Sequence, residues 1–290
     1  MSTESRVTVA KTHKLYVNGA FPRSESGRSY PVRDAGGRLL AHAALASRKD
    51  VRDAVAAARG ALPRWSGATA YNRGQVLYRV AEVLEGRREQ AADEVVAAEG
   101  VSRREAAAVV DATIDRWVWY AGWTDKVATV LGSVNPVAGP YECTSTPVPT
   151  GVVGVLAPQG SSLLGLTSML APVLAVGATA VVVASEERPL PAVVLGEVLA
   201  TSDVPAGVAN LLTGRTAELA PWLASHAEVA ALDLVGAPHD IAVDLERAAA
   251  DSVMRVLPRP TAEPDFTEPP GIGRLRAYCE ITTVWHPVGT

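Results

Sequence analysis

The hydrophobic pattern is most regular between residues 151 and 186. A short apolar run rich in β-branched residues (151–156) is followed by a polar break at 158–162 and then by a periodic apolar segment at 163–176. A second β-branched run occupies 179–183. This order of strand, glycine-containing break, helix and strand predicts a βαβ unit, and strands apolar at every position are typical of a parallel sheet that is covered on both faces.

The alternation continues on both sides of this unit. Downstream, the pattern predicts a helix at 189–200, a strand at 208–212, a helix at 217–225, a strand at 229–234 and a helix at 239–250. Upstream, Ser47 offers an N-terminal cap, and helix-spaced apolar residues between 51 and 118 predict three or four helices over one face of the sheet. The chain is therefore predicted to be an α/β protein with a doubly wound, mostly parallel sheet.

Several strand-like runs lie outside this pattern. We expect hairpins at 15–21, turning at Asn18-Gly19, and at 31–46, turning around Gly36-Gly37. Residues 127–134 and 141–146 read as a long hairpin that ends at Pro147 and Pro149, and 277–285 has the alternation of a third strand. The polar residues 1–14 are expected to be flexible.

Composition narrows the class of protein. The chain has 290 residues, of which 48% are hydrophobic and 20% charged, with a formal net charge of -4. Such a balance fits an ordinary globular protein and argues against nucleic acid or a membrane as partner. The first residues lack the apolar core of a secretion signal, so we expect a cytoplasmic protein. The two cysteines lack metal-ligand spacing with the five histidines, and no metal site is predicted.

Four segments carry a resemblance to a known family. They are GVVGVLAP (151–158), LAPVLAVGAT (170–179), VVVASE (181–186) and PAGVANLLTG (205–214). In this order and spacing they resemble the cofactor domain of the aldehyde dehydrogenase superfamily. LYVNG (15–19), WYAGWTDK (119–126), PGIGR (270–274) and TTVW (282–285) extend the resemblance over nearly the whole chain.

The resemblance implies an organisation into parts. Residues 15–126 and 148–258 would form the α/β domain of cofactor type. Residues 127–147 with 275–290 would form a protruding three-stranded arm, which in the family reaches across to a neighbouring subunit. Residues 259–274 would be a linker in place of the lobe that carries the nucleophilic cysteine, as in an internal deletion. The chain resembles the cysteine-less second module of two-module members.

Family residues carried over one by one leave no catalytic set. The oxyanion-binding asparagine of the family falls on Gly160 and the cofactor-contacting lysine on Val183, while the glutamate base and the nucleophile lie in missing sequence. Weak cofactor-binding remnants are Glu186, Ser161, Gly214 and Gly236, although turn geometry explains the two glycines equally well. No cofactor is expected, and NAD or NADP is the ligand class left open.

Other candidate groups have ordinary interpretations. Cys143 and Cys279 lie in strand-like runs with no neighbour that would lower a thiol pKa. The aromatic cluster of residues 117, 119, 120 and 123 has the helical spacing of core or interface residues rather than of a ligand platform. His226 lies in a segment that resembles a structural turn of the family.

Three hypotheses follow. We favour an inactive subunit that assembles through residues 127–147 and 277–285 with a full-length, NAD(P)-dependent aldehyde dehydrogenase and stabilises or regulates it. The alternative is a dinucleotide-binding or sensing module that uses Glu186 and the loop at Ser161. A remodelled enzyme with unrelated chemistry is the third, and the sequence offers no residue constellation for it.

Overall fold

The computed structural model describes residues 9–34 and 36–288. In chain order its strands are β1 (Thr12–His13), β2 (Ser29–Arg33), β3 (Leu39–Ala44), β4 (Ser133–Asn135), β5 (Tyr141–Pro149), β6 (Val152–Leu156), β7 (Thr179–Val183), β8 (Ala209–Leu212), β9 (Val229–Asp233), β10 (Arg255–Leu257) and β11 (Cys279–Pro287). Its helices are α1 (Arg48–Ser66), α2 (Ala70–Gly86), α3 (Arg88–Glu99), α4 (Arg103–Ala121), α5 (Val127–Leu131), α6 (Leu164–Ala175), α7 (Leu190–Leu199), α8 (Thr216–Ala224), α9 (Ala242–Ala250) and α10 (Gly273–Ala277). None of the described helices is long and apolar enough to cross a bilayer.

The centre of the molecule is a five-stranded parallel sheet in the order β10-β9-β6-β7-β8. Strands β6, β7 and β8 are buried at every position, which explains why their sequences show no polar alternation. The predicted doubly wound α/β sheet is confirmed. Val152 of β6 lies opposite Thr179 of β7, so the predicted βαβ unit forms the middle of the sheet.

Helices cover both faces of this sheet. On one face, helices α2, α3, α4, α6 and α7 pack in an apolar core that we call the first core. On the other face, α1, α8 and α9 pack in the second core. Three of the upstream helices thus share a face as predicted, whereas α1 lies on the opposite one. Helix α1 begins as the sequence indicates, since Ser47 and Asp50 form a reciprocal capping box. Trp117 and Tyr120 are buried in the first core, so the aromatic cluster is mainly structural.

The N-terminal region forms a small separate sheet in the order β1-β3-β2. Strands β2 and β3 form the predicted antiparallel pair. The backbone of Val17 pairs with that of Ala20 around Asn18 and Gly19, both of which have positive φ. The sequence predicts a flexible N-terminus over residues 1–14. Within it Thr12–His13 pair in parallel with β3, and residues 1–8 lie outside the described part.

A third sheet forms the arm, in the order β11-β5-β4. Its strands are antiparallel, and β11 pairs with β5 from Cys279 opposite Pro149 to Pro287 opposite Tyr141. The strand predicted over 141–146 continues through Pro147 and ends at Pro149. Beyond Ser145, strand β5 has no partner on its β4 side among the described residues, and prolines are tolerated on such an edge.

The predicted strand over residues 127–134 is also wrong in its first part. Residues 127–131 are the helix α5, and only 133–135 form a strand. Val127, Val130 and Leu131 have helical spacing, although Val127, Thr129 and Val130 are β-branched. Burial of Val127 in the first core selects the helix. Residues 275–277, also assigned to the arm from the sequence, belong to the short helix α10.

Candidate functional site

The four residues predicted as cofactor-binding remnants all lie at the carboxyl edge of the central sheet. Ser161 follows β6, Glu186 follows β7, Gly214 follows β8 and Gly236 follows β9, and these four strands are adjacent. Ligands of doubly wound folds bind at this edge. The structure therefore brings the predicted remnants together, and their contacts show what each is engaged with.

The loop between β6 and α6 has its backbone donors paired with acidic side chains. The amides of Gly160 and Ser161 donate to the carboxylate of Glu263 at 2.9 and 2.8 Å. The amide and hydroxyl of Ser162 donate to Glu99, at the end of α3, at 2.8 and 2.7 Å. Backbone amides before a helix are favourable sites for an anion, and here the chain supplies the anions itself.

Glu186 is likewise engaged within the chain. Its carboxylate accepts hydrogen bonds from the guanidinium of Arg215 at 2.6 Å and from the amide of Thr216 at 3.1 Å, at the start of α8. Burial raises the pKa of Tyr30, and the nearby charge of Glu186 adds to that rise. Val183, at the carboxyl end of β7, is fully buried in the second core. Position 183 thus offers an apolar contact in place of a cation.

The loops after β6 and β7 are tied to each other. Gln159 accepts a hydrogen bond from the amide of Glu186 at 3.0 Å and donates to the carbonyl of Ala157 at 2.9 Å. Arg188 donates to the carbonyl of Gly160 at 2.6 Å. Because the bonds of Gln159 to Glu186 and of Arg188 to Gly160 connect side chains to backbone on the neighbouring loop, they fix the shape of the carboxyl edge.

Gly236 has a packing reason to be glycine. A Cβ atom at this position would lie 1.8 Å from the carbonyl oxygen of Ala157, while the Gly236 amide donates to Leu156 at 2.9 Å. The backbones leaving β6 and β9 therefore approach too closely for any side chain. Close packing accounts for this glycine without a ligand.

Residues 258–272, which we call the strap, run across the same edge. Arg259 donates to the carbonyl of Ala237 at 2.8 Å, Glu263 contacts the loop after β6, and Phe266 is buried in the first core. The sequence suggested only a polar linker at 259–274. The strap has no periodic pattern, and the single signal available was Phe266, one of two phenylalanines in the chain.

Arg116 is a further residue that sequence reasoning missed. This buried side chain on α4 donates to the carbonyls of Phe266 and Glu268 at 2.6 and 3.0 Å and to the hydroxyl of Ser168 at 2.8 Å. Burial lowers its pKa. Since its partners are carbonyl and hydroxyl oxygens, Arg116 fastens the strap to the helical layer.

A buried ionic group anchors the segment that follows the strap. Asp233, the last residue of β9, is fully buried and contacts the guanidinium of Arg274 on α10. It also accepts a hydrogen bond from the hydroxyl of Tyr278 at 2.6 Å. Burial, together with the charge of Asp233, raises the pKa of Tyr278 well above its ordinary value. The group holds α10 against the end of β9.

Comparison with known proteins identifies the fold. The sequence model of the Aldehyde dehydrogenase family matches residues 22–257. The chain belongs to the aldehyde dehydrogenase family. The mitochondrial aldehyde dehydrogenase family 2 member B4 of Arabidopsis thaliana is 32% identical over 247 residues, which are 84% of this chain and 45% of the relative. The cytosolic 10-formyltetrahydrofolate dehydrogenase of Homo sapiens is 30% identical over 79% of this chain and 26% of its own length.

Solved structures agree. HpcC from Thermus thermophilus superposes with a TM-score of 0.80 at 30% identity, covering 84% of this chain and 47% of HpcC. The NAD+ complex of an aldehyde dehydrogenase from Bacillus cereus gives 0.79 at 25% identity, covering 84% of this chain and 50% of that one. The chain spans about half the length of the Arabidopsis relative and of the two solved structures, and about a quarter of the human relative.

The family match ends at β10, so the strap, α10 and β11 lie beyond it. Neither cysteine lies at the carboxyl edge, because Cys143 is on β5 and Cys279 begins β11. Both thiols are buried, and burial raises the pKa of Cys279 to about 11. No group of three or more His, Cys, Asp or Glu side chains in residues 9–34 and 36–288 is arranged to hold a metal ion.

Proposed function

We propose that this protein is a non-catalytic aldehyde dehydrogenase-like subunit that assembles with a full-length, NAD(P)-dependent aldehyde dehydrogenase and stabilises or regulates it. The observation that carries the proposal is the open edge of the arm. Within the described part of the chain, strand β11 pairs only with β5, and all of its residues after Cys279 are exposed.

The chemistry of this edge fits a protein partner. Ile281, Val284 and Trp285 are 54%, 43% and 57% exposed, and Tyr141 packs edge-on against Trp285 with ring centroids 6.0 Å apart. One side of the nine-residue β11 also has backbone donors and acceptors that no other described strand pairs with. Long, exposed, apolar edge strands are normally covered, because they otherwise pair without control.

The resemblance to the family indicates what covers the edge. In the family the arm docks on the cysteine-bearing lobe of a neighbouring subunit. In this chain β10 leads to β11 through the strap and α10 alone, so the described residues form no such lobe. A second copy of this chain would therefore not offer the family's docking surface, whereas a full-length relative would.

The carboxyl edge supports the absence of catalysis. Position 160 has no side chain to stabilise an oxyanion, Val183 is apolar, and both thiols lie in the arm. Loss of a nucleophile alone costs on the order of a millionfold in rate in a well-studied protease. We therefore expect no aldehyde oxidation by the purified chain.

Co-purification of the tagged chain from its native host tests the assembly. We expect recovery of a stoichiometric complex with an aldehyde dehydrogenase identified by mass spectrometry. Trp285→Ala should weaken the complex at least tenfold, because it removes an exposed aromatic anchor. Tyr71→Ala is the matched control, since Tyr71 is a 72% exposed aromatic residue on α2, outside the arm. A lone monomer, or aldehyde oxidation by the isolated chain, would contradict the proposal.

A dinucleotide-binding or sensing module is the second candidate. It is favoured by Glu186, which remains at the carboxyl edge, and by the NAD+ complex among the similar structures. The paired state of Glu186 and of the Gly160 and Ser161 amides fits a cofactor poorly. Calorimetric titration with NAD and NADP separates the two candidates. Heat at millimolar cofactor that Glu186→Gln abolishes would favour the sensing module.

A further inference from the structure

We propose that the strap is a built-in block of the carboxyl edge. Its Glu263 carboxylate occupies the anion-binding amides of the loop after β6 and thereby excludes phosphate-bearing ligands. The proposal concerns access of a ligand to this edge and goes beyond the assembly role of the arm.

The contact has the geometry of a bound anion. The amide of Gly160 donates to one carboxylate oxygen of Glu263, and the amide of Ser161 donates to the other. Both amides lie just before the twelve-residue helix α6, where the helix dipole also favours negative charge. Glu263 lies 103 residues along the chain from Gly160, so tertiary structure and not local turn chemistry creates the contact.

Position 160 is shaped to admit this carboxylate. A Cβ atom at Gly160 would lie 2.8 Å from Oε1 of Glu263 and 3.3 Å from its carboxyl carbon. The Glu263 side chain therefore fills the space in which a residue at position 160 would project its own side chain. Glu263 reaches this position because residue 160 is a glycine.

The strap is held on both sides of Glu263. Before it, Arg259 is bonded to the carbonyl of Ala237. After it, the buried Phe266 and the grip of Arg116 on two backbone carbonyls fix the chain. An anion fixed in this way competes with free anions at the high effective concentration of an intramolecular ligand.

The charge of the edge reinforces the block. The next amide along the loop, that of Ser162, is paired with Glu99, so two carboxylates lie at this loop, beside the guanidinium of Arg188 on the Gly160 carbonyl. A free phosphate group would have to displace Glu263 and would then lie close to both acids. Removal of the Glu263 carboxylate should free two donors and lower this repulsion, and it leaves Arg188 in place.

The first test is titration of the full chain with inorganic pyrophosphate, followed by NMR of the Gly160 and Ser161 amide signals. Glu263→Ala should bind pyrophosphate at least tenfold more tightly than the unaltered chain. Glu268→Ala is the matched control, because it makes the same charge change in the strap while Arg116 contacts only the Glu268 backbone carbonyl. Equal affinity in Glu263→Ala and the unaltered chain, or no binding to either, would overturn the proposal.

A second variant tests the block by changing the residue at position 160, which Glu263 contacts. In Gly160→Ala the added methyl group should push the flexible Glu263 side chain away, so hydrogen exchange of the amides at positions 160 and 161 should accelerate several-fold. Gly271→Ala is the control, because no atom other than those of its chain neighbours lies within 4 Å of its added Cβ. Unchanged protection of the amides at 160 and 161 in Gly160→Ala would overturn the proposal. Neither variant alters the arm, so these outcomes are independent of assembly.

Discussion

The polar backbone groups differ between the carboxyl edge of the central sheet, where they are hydrogen-bonded, and the open edge of the arm, where they have no partner strand in the described structure. At the carboxyl edge, the amides of Gly160, Ser161 and Ser162 are bonded to side chains of the same chain. On the arm, β11 leaves one side without a partner strand in the described structure and exposes Trp285. The edge at which doubly wound folds bind ligands is closed by side chains of the same chain, and the arm, through which we propose that the chain assembles, is open.

This contrast indicates where the chain meets other molecules. Groups that are satisfied within a chain contribute to its own stability, whereas an unpaired apolar edge gains free energy only when a partner covers it. Substitutions at the carboxyl edge should therefore change the free energy of unfolding of the isolated chain. Substitutions on the outer side of the arm should change association and leave that stability nearly untouched.

The largest expected effect is that of Arg274→Ala. It leaves the fully buried Asp233 without its cationic partner, and removal of one member of a buried pair costs about 3–5 kcal/mol. Urea unfolding of the isolated chain measures the loss. Arg276→Ala is the control on the same helix, since Arg276 is exposed and should matter by about 0.5 kcal/mol or less. A loss below about 1 kcal/mol in Arg274→Ala would show that the closed edge does not depend on this pair.

An intermediate effect on the free energy of unfolding is expected at high pH. It arises at Cys279, where the arm joins the rest of the chain. Cys279 begins β11, and burial raises its pKa from 9.0 to about 11. Between these values the folded thiol keeps a proton that the unfolded thiol loses, so stability falls as pH rises from about 9 to about 11. Tyr16 and Tyr120, whose pKa values burial raises to about 12, extend the decline above pH 10.

Cys279→Ser should remove the first part of this decline. We expect its urea midpoint to fall less than that of the unaltered chain between pH 9 and 11. The difference should be on the order of 1 kcal/mol, because the thiol is not wholly shielded from water. Cys143→Ser, on the neighbouring strand, controls for loss of a buried thiol. Parallel pH curves for all three chains would show that Cys279 does not contribute.

The smallest effect is expected from Trp285→Ala on the isolated chain. Because Trp285 is 57% exposed, its removal should change the free energy of unfolding by about 1 kcal/mol or less. Trp117→Ala, in the fully buried counterpart on α4, should cost about 3–5 kcal/mol. If Trp285→Ala destabilised the isolated chain as much as Trp117→Ala, the arm would be part of the core and the comparison would fail.

Patterns within a single segment made most of the fold predictable. The apolar strands β6 and β7, the cap at Ser47 and the turn at Asn18 each depend on neighbouring residues. Residues 127–131 were misassigned because their β-branched character and helical spacing point to different structures, and burial of Val127 decides between them.

The state of the candidate site was not predictable in this way. The sequence placed Ser161 and Glu186 at the carboxyl edge but gave no sign that Glu263 and Arg215 would pair with them. The Glu263 pair depends on the path of the strap, which has no periodic pattern of its own. The Arg215 pair joins the loops that follow the neighbouring strands β7 and β8. A single sequence therefore placed these residues at the carboxyl edge and left their hydrogen-bond partners open.

The route of the chain through the root of the arm has a mechanical consequence. Only Thr150 and Gly151 separate β5 from β6, and the amide and hydroxyl of Thr150 both bond to the carbonyl of Tyr278, at 3.0 and 3.2 Å. Tyr278 in turn is bonded to Asp233 at the end of β9. Tension on the arm is therefore passed directly to β6 and β9 of the central sheet, so a molecule bound to β11 would also pull on the strands beneath the strap.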